Sequence, residues 1–211
     1  MRAYLASFLV TFSAIFFIVD PLGLVPIFIA ITGNSTREKR LAMARRATLV
    51  AFCVLTFFAI FGGFVFKLFG ITVPAMRIAG GFLLLITALD MLRAQPTRTR
   101  SSPEEEEEFE SKADVAIVPL AIPLLAGPGS IVTAMVLAGQ GGTLHSIVPV
   151  ALSIALTCLI AYILLRAAEP IQRLLGRSGI AVFERIMGLL LAAIGVQFMV
   201  DGFVTVFRGV H

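Results

Sequence analysis

Six long stretches of this sequence carry almost no charge, and each is long enough to cross a lipid bilayer as an α-helix. Crossing a hydrocarbon core of roughly 30 Å takes about 20 helical residues. The composition agrees, because 58% of the 211 residues are hydrophobic and only 14% are charged, whereas soluble domains have about 25% charged residues. The sequence therefore predicts an all-α polytopic membrane protein, with spans at residues 3–31, 47–66, 71–92, 115–139, 146–165 and 186–207.

Lys and Arg residues are distributed unevenly between the two sides of such a protein, which predicts its orientation. The segments that follow the first, third and fifth spans contain thirteen of the 17 basic residues, and only Arg2, Lys67, Arg77 and Arg208 fall on the opposite side. Cytoplasmic segments of membrane proteins are enriched in Lys and Arg. We therefore expect a multi-pass protein of the inner (plasma) membrane with both termini on the non-cytoplasmic side. This explanation of the positive charge requires no nucleic-acid partner.

One long polar segment, TRTRSSPEEEEEFESKAD at residues 97–114, separates the two halves of the chain. Its run of Glu has no apolar periodicity, which is typical of a solvated, disordered linker. We predict a cytoplasmic linker that joins a first three-helix unit at 1–96 to a second at 115–211, the two together forming one membrane domain.

The two halves of the chain resemble each other at offsets of 106 to 108 residues. KLFG at 67–70 matches RLLG at 173–176, RIAGGFLLL at 77–85 matches RIMGLLLAA at 185–193, and DPLG at 20–23 aligns with AGPG at 126–129. Since each unit has an odd number of spans, the second must enter the membrane from the opposite side. The sequence thus predicts inverted repeats, which recur in transporters. Duplication for stability alone is the other interpretation.

Both repeats begin with a span that contains helix-breaking residues. Pro21, Gly23 and Pro26 predict a break around residues 20–26, and two Pro and two Gly residues do the same at 123–129. Broken backbone at membrane depth is tolerated only where protein or a wet cavity satisfies its polar groups. Paired interruptions at corresponding positions indicate the binding site of a transporter. We therefore predict broken helices in spans one and four, with a binding site between them.

The chemistry of the two predicted breaks is complementary. Amides of Gly127, Gly129 and Ser130 at the start of a half-helix suit an anionic group such as a carboxylate. Asp20 suits an ammonium group or a proton, so the pair suits a zwitterion. The alternative for Asp20 is a helix cap. The candidate substrate-binding residues are Asp20, Pro21, Gly23, Gly127, Pro128, Gly129 and Ser130, with Asp20 also the candidate for ion coupling.

Other residues within the spans have two interpretations each. The polar side chains of Thr87, Thr133 and Gln197 either line the site or form hydrogen bonds between helices, the second being favoured. The four glycines at positions 80, 81, 188 and 195 are expected to serve close helix packing.

The segments DPLGLVPIF, IPLLAGPGSI, RIAGG and RIMG together resemble the MarC family of integral membrane proteins, over essentially the whole chain. The resemblance implies six spans and a polar central linker. Some members are regarded as transporters of small neutral amino acids such as glycine and alanine, and the family name comes from an antibiotic-resistance locus without establishing efflux. Leu24 departs from the family's DPLGN pattern, in which Asn is often found at this position.

These features favour a secondary transporter of small neutral amino acids, coupled to protons through Asp20 or to sodium ions. Export of another small solute and a membrane scaffold without transport are the alternatives. An intramembrane enzyme is disfavoured, because His145 is predicted in an outer loop and His211 is terminal. No ATP-binding P-loop motif occurs in the sequence. No metal or cofactor is expected, and the expected partners are the substrate and the bilayer, with a homo-oligomer left open.

Overall fold

The computed structural model describes residues 2–33, 35–93, 120–139 and 144–208. Within these ranges all regular structure is helical, so the all-α prediction is confirmed for them. The predicted linker at 97–114 lies outside the described residues. The elements are α1 (Arg2–Val19), α2 (Leu24–Thr32), α3 (Arg37–Phe69), α4 (Val73–Arg93), a π-helical segment π1 (Leu120–Leu125), α5 (Pro128–Gly139), α6 (Leu144–Arg166) and α7 (Ala168–Arg208).

Four helical stretches are long and apolar enough to cross a bilayer. They are α3, α4, the part of α6 from Ile147 to Arg166, and the part of α7 from Ser178 to Arg208. Helices α1 and α2 make a fifth if the bent pair is counted as one span. The predicted span at 115–139 begins outside the described residues and ends in the shorter apolar helix α5. The described part of the chain thus contains four or five of the six predicted spans.

Helix α3 is longer than the span predicted for it, because its basic first turns are helical. Thr36 caps the helix, since its hydroxyl oxygen accepts the N–H of Lys39 at 3.4 Å. At 1.5 Å per residue the 33 residues of α3 extend about 50 Å, well beyond a hydrocarbon core. The prediction of a loop at residues 37–46 is therefore wrong. Its charged residues are good helix formers, so the helix continues from the bilayer into water.

Helices α4 and α7, which come from opposite halves of the chain, pack closely along a stripe of glycines. The three pairs of contacts are Gly188 with Ala88, Gly195 with Gly81, and Gly202 with Pro74. A Cβ atom on any of the three α7 glycines would lie 2.8–3.1 Å from the carbonyl oxygen of its α4 partner. The glycines recur every seven residues, and the pairing order shows that the helices are antiparallel. The predicted packing role is confirmed here, and Gly80 packs against Val132 of α5 in the same way.

The largest buried apolar cluster also joins the two halves. It lies where α1 and α2 meet α6, and where α3 meets π1, α5 and α6. Leu24, Leu55, Leu125 and Ile154 are among its almost fully buried side chains. Because close packing is a main source of helix association in lipid, the fold depends on contacts between residues of the first half and residues of the second.

Two glycines that lie 106 residues apart adopt left-handed backbone conformations. Gly70 has φ 65° and ψ 22° and ends α3, while Gly176 has φ 62° and ψ 178° and interrupts α7. They are the last residues of the KLFG and RLLG matches. Glycine is the residue that adopts such conformations without steric cost. The matched sequences therefore produce chain bends at matched positions.

Candidate functional site

The first helix break is organised by Asp20. This residue has φ 48°, in the left-handed region, which Asp tolerates because its short carboxylate bonds to nearby backbone. Its Oδ1 atom accepts the N–H of Gly23 at 3.2 Å, and the residue is only 2% exposed. Asp20 thus bonds to an amide at the entry to α2, as the alternative of a cap expects, although α2 begins at Leu24 and its N-cap residue Gly23 has no side-chain cap. A role in binding or coupling stays a prediction.

Gly23 leaves room for that carboxylate. A Cβ atom on Gly23 would lie 2.9 Å from Asp20 Cγ and closer still to Oδ2. Pro21 is buried beside them and has no N–H that would need a partner. Pro26 lies in the first turn of α2, where a missing amide costs nothing, so the break is confined to residues 20–23. The axes of the helices on either side differ by 41°.

The second helix break lies between π1 and α5. Ile122 interrupts π1 with extended backbone, φ −130° and ψ 121°. The N–H of Ala126 reaches back to the carbonyl of Ala121 at 2.8 Å, and α5 begins anew at Pro128. The prediction that this span is also a broken helix is confirmed for its described residues.

Ser130 satisfies backbone carbonyl groups of the second break. Its hydroxyl lies 3.0 Å from the oxygen of Gly127 and 3.2 Å from that of Leu125, so its single proton is available to either. The side chain is 5% exposed. Ser130 therefore stabilises the interrupted backbone at a depth where water is scarce.

The start of α5 presents amide groups without partners in their own helix. Its first residue, Pro128, has no N–H, and the bond from Ile131 N–H to the Gly127 carbonyl, at 3.0 Å, closes the first turn. The N–H groups of Gly129 and Ser130 precede that bond and have no acceptor within the helix. Together with the positive end of the helix dipole they form a place suited to an anionic group.

A cavity of about 40 Å³ lies at the second break. Four of the seven predicted site residues line it, namely Gly127, Pro128, Gly129 and Ser130. Ile18, two residues before Asp20 of the first break, also lines the cavity. Its Cγ2 would lie 3.8 Å from a Cβ atom on Gly129. Asp20, Pro21 and Gly23 are not among the described lining residues. The structure thus brings the second break to the cavity and places the first break beside it.

Most of the remaining cavity wall is apolar and could not be recognised from the sequence by residue type. The wall contains Ile18 and Leu124, which are 106 residues apart, and Leu84 and Leu191, which are 107 apart. Leu84 and Leu191 are 1% and 0% exposed. The repeat was the available signal for Ile18 and Leu124, whose separation of 106 residues equals the offset between DPLG and AGPG, whereas Leu84 corresponds to Ala192 in the match of RIAGGFLLL with RIMGLLLAA.

The three polar candidates within the spans have different surroundings and hydrogen-bond partners. Thr87 lines the cavity and donates its hydroxyl proton to the carbonyl of Leu83, in its own helix, at 3.0 Å. Thr133 is fully buried, and its hydroxyl has no partner among the described residues. Gln197 is exposed and donates to Asp201 at 2.8 Å within α7. In the described part of the chain none of the three is recorded in the favoured role of a hydrogen bond between helices.

Among the described residues, no group of three or more His, Cys, Asp or Glu side chains is placed to hold a metal ion. The chemistry of the cavity in these ranges is therefore that of backbone amides, two hydroxyl groups and apolar side chains.

These features define the class of the protein as a polytopic α-helical integral membrane protein with a small internal cavity at broken helices. The model of the family described as MarC family integral membrane protein matches residues 5–207. This chain belongs to the MarC family.

Related proteins from distant organisms match nearly the full length of the chain. A UPF0056 membrane protein of Methanocaldococcus jannaschii is 41% identical over 198 residues, covering 94% of this chain and 96% of that protein. The UPF0056 membrane protein YvbG of Bacillus subtilis is 37% identical, covering 90% and 91%. YhcE of Escherichia coli is 34% identical, covering 94% and 92%. These names describe membrane proteins and no enzyme. No solved structure matches the chain significantly.

Proposed function

We propose that this protein is a secondary transporter of small neutral amino acids, of the glycine and alanine type, which bind between the two helix breaks. The observation that carries this proposal is the cavity itself, because it joins Ile18, beside the first break, to the four residues 127–130 of the second. Interrupted helices of this kind form substrate sites in transporters.

The size of the cavity favours a small solute. At about 40 Å³ it has room for little more than one or two water molecules. Sites for drug-sized ligands enclose about 300–1,000 Å³. Even glycine requires some widening, which the mobile halves of an alternating-access transporter supply. A bulky antibiotic is a much poorer fit than an amino acid with a hydrogen or a methyl side chain.

The polar groups around the cavity suit a zwitterion. The amides of Gly129 and Ser130 are placed to receive the substrate carboxylate. Asp20 lies two residues from Ile18, and we propose that it takes up the proton that drives transport. Protonation would weaken the bond from the Gly23 N–H to Oδ1. The proton would then loosen the first break next to the cavity, which links its uptake to opening.

We further propose that the chain consists of two inverted repeats of three spans, with residues 115–139 forming the fourth of the six spans. The paired cavity residues Ile18 and Leu124 support this arrangement. The left-handed glycines Gly70 and Gly176 support it independently. We place both termini on the non-cytoplasmic side of the inner membrane, in keeping with the unequal distribution of Lys and Arg.

The test is uptake of labelled glycine and alanine into liposomes that contain the purified protein, with and without an imposed proton or sodium gradient. We expect uptake that depends on a gradient. In the Gly129→Leu variant it should fall to the level of protein-free liposomes, since the new side chain enters the cavity and its Cβ alone would lie 2.9 Å from Leu84 Cδ2.

The matched control is Gly63→Leu in α3, where an added Cβ atom meets nothing within 4 Å. This variant should transport like the wild type. Folded wild-type protein that transports neither amino acid under any gradient would refute the substrate assignment. A screen of other small solutes would then separate an exporter from a scaffold, and equal activity of Gly129→Leu and wild type would remove the cavity from the mechanism.

A further inference from the structure

A second cavity, of about 250 Å³, lies where the basic first turns of α3 meet the junction between α6 and α7. Arg37 and Arg40 of α3 line it on one side, and Arg166 and Glu169 line it on the other. Phe28 of α2 contributes to its apolar wall. The cavity is separate from the helix breaks and has no part in the proposed transport site.

The charged groups of this cavity leave an excess of positive charge. Arg40 forms an ion pair with Glu169, which joins the first half of the chain to the second. No ion pair is recorded for Arg37 or Arg166 within the described ranges. Two guanidinium groups are therefore available, and their planar donor pattern matches the oxygens of a phosphate group.

The backbone also contributes to the positive electrostatic potential at this cavity. Arg37 is the first residue of the 33-residue helix α3, so the positive end of its dipole lies at the cavity. Helix N-termini favour phosphate groups because their first amides have no partner in the helix. Side chains and backbone thus favour the same kind of ligand.

The position of the cavity along the spans indicates where the phosphate group comes from. Arg166 ends the candidate span Ile147–Arg166, so it lies at the boundary between apolar and polar surface, and Arg37 lines the same cavity from the basic first turns of α3. Phe28 and Leu165, which are nearly fully buried, provide apolar walls next to these charges. Phospholipids carry their phosphate groups at this depth, with acyl chains beside them.

We propose that this cavity binds the phosphate group of an anionic phospholipid, on the side of the membrane that carries most of the basic residues. The headgroup lies between Arg37 and Arg166 and thereby links α3 to the α6–α7 junction, next to the Arg40–Glu169 pair. The bound lipid stabilises the packing of the two halves at this end of the molecule.

The experiment measures thermal unfolding of delipidated protein in a neutral detergent while phosphatidylglycerol or phosphatidylcholine is added. Phosphatidylglycerol should raise the unfolding temperature with a saturable dependence on its concentration, as expected for a ligand of the folded state. Phosphatidylcholine, whose choline group neutralises the phosphate charge, should give a much smaller rise.

Two double variants that remove the same charge locate the site. Arg37→Gln with Arg166→Gln should weaken the apparent affinity for phosphatidylglycerol by about tenfold or more, because both charged donors are lost. Arg46→Gln with Arg173→Gln is the control. Arg46 lies on α3 and Arg173 on α7, both are exposed, and neither lines the cavity. This control should bind like the wild type.

Four results would overturn the proposal. They are equal stabilisation by the two lipids, equal loss of binding in the two double variants, stabilisation by inorganic phosphate alone at the same concentrations, and unchanged binding in Arg37→Gln with Arg166→Gln. The first two would indicate nonspecific lipid or charge effects, and the third would indicate a soluble phosphate compound as the ligand. If the Gln pair does not fold, Arg37→Lys with Arg166→Lys replaces it. Lysine keeps the charge but not the paired donors, so weaker binding is again expected and unchanged binding refutes the site.

Discussion

The two helix breaks occupy corresponding positions in the chain but are stabilised by side chains of opposite hydrogen-bonding character. In the first, the carboxylate of Asp20 accepts a hydrogen bond from the backbone N–H of Gly23. In the second, the hydroxyl of Ser130 donates its proton to the backbone carbonyl of Gly127 or Leu125. One break therefore uses an acceptor with a negative charge, and the other uses a neutral donor.

This difference explains how two similar interruptions can have distinct roles at one site. The first break uses the Gly23 amide locally and buries an acid inside the protein. The second uses its free carbonyls locally and leaves the amides of Gly129 and Ser130 for another acceptor. The two breaks are thus chemically asymmetric, as the proposed site for a molecule with one positive and one negative end requires.

Removing the charge from the first break should have the largest effect on transport. Asp20→Asn keeps an oxygen that can accept the Gly23 N–H, so thermal stability should change little, whereas proton-driven uptake should be lost. Asp20→Ala removes the cap as well and should lower the free energy of unfolding by about 0.5–2 kcal/mol. Paired uptake and unfolding measurements separate the two effects, and normal proton-driven uptake by the Asn variant would leave Asp20 as a cap alone.

Crowding the first break should have the next largest effect. In Gly23→Ala the new methyl group collides with the Asp20 carboxylate, and we expect a loss of about 1–3 kcal/mol in unfolding free energy, typical of overpacking. In the background of Asp20→Ser, whose side chain is shorter, the same Ala substitution should cost less. Equal losses in both backgrounds, measured by chemical unfolding in detergent, would show that the carboxylate is not the obstacle.

The smallest effect is expected from the second break. Ser130→Ala leaves the carbonyls of Gly127 and Leu125 without their hydroxyl donor, which should cost about 1 kcal/mol. Because the backbone amide at position 130 remains in this variant, uptake should decrease only slightly. Ser130→Thr retains the hydroxyl and serves as the control. If Ser130→Ala abolished uptake without loss of stability, the hydroxyl would be a substrate ligand, and the contrast between the breaks would need revision.

The breaks themselves could be predicted because Pro and Gly act through the backbone and leave a clear trace in sequence. DPLG and AGPG indicated both interruptions, and the glycines of the third span of each half indicated close packing. The extended conformation of Ile122 was not predicted, although Ile122 precedes Pro123 and a residue before proline is disfavoured from the helical region. Its φ of −130° and ψ of 121° match that restriction.

The residues of the cavity wall could not be predicted from residue type, for a physical reason. A leucine that faces lipid and a leucine that faces a cavity look alike in a membrane protein, because both surroundings are apolar. Leu84, which lines the cavity, and Leu89, which is 41% exposed, belong to the same helix. Leu24 departs from the family pattern, in which Asn is often found, and its side chain is fully buried in the core.

The glycine stripe between α4 and α7 has a consequence for how the protein is made. Helix α4 ends at Arg93, but its partner is complete only at Arg208, near the end of the chain. At translation rates of about 5–20 residues per second, α4 waits in the membrane for on the order of ten seconds before α7 is available. During biogenesis the first half therefore presents an unpartnered contact face, and a nascent chain truncated before Gly188 would never cover it.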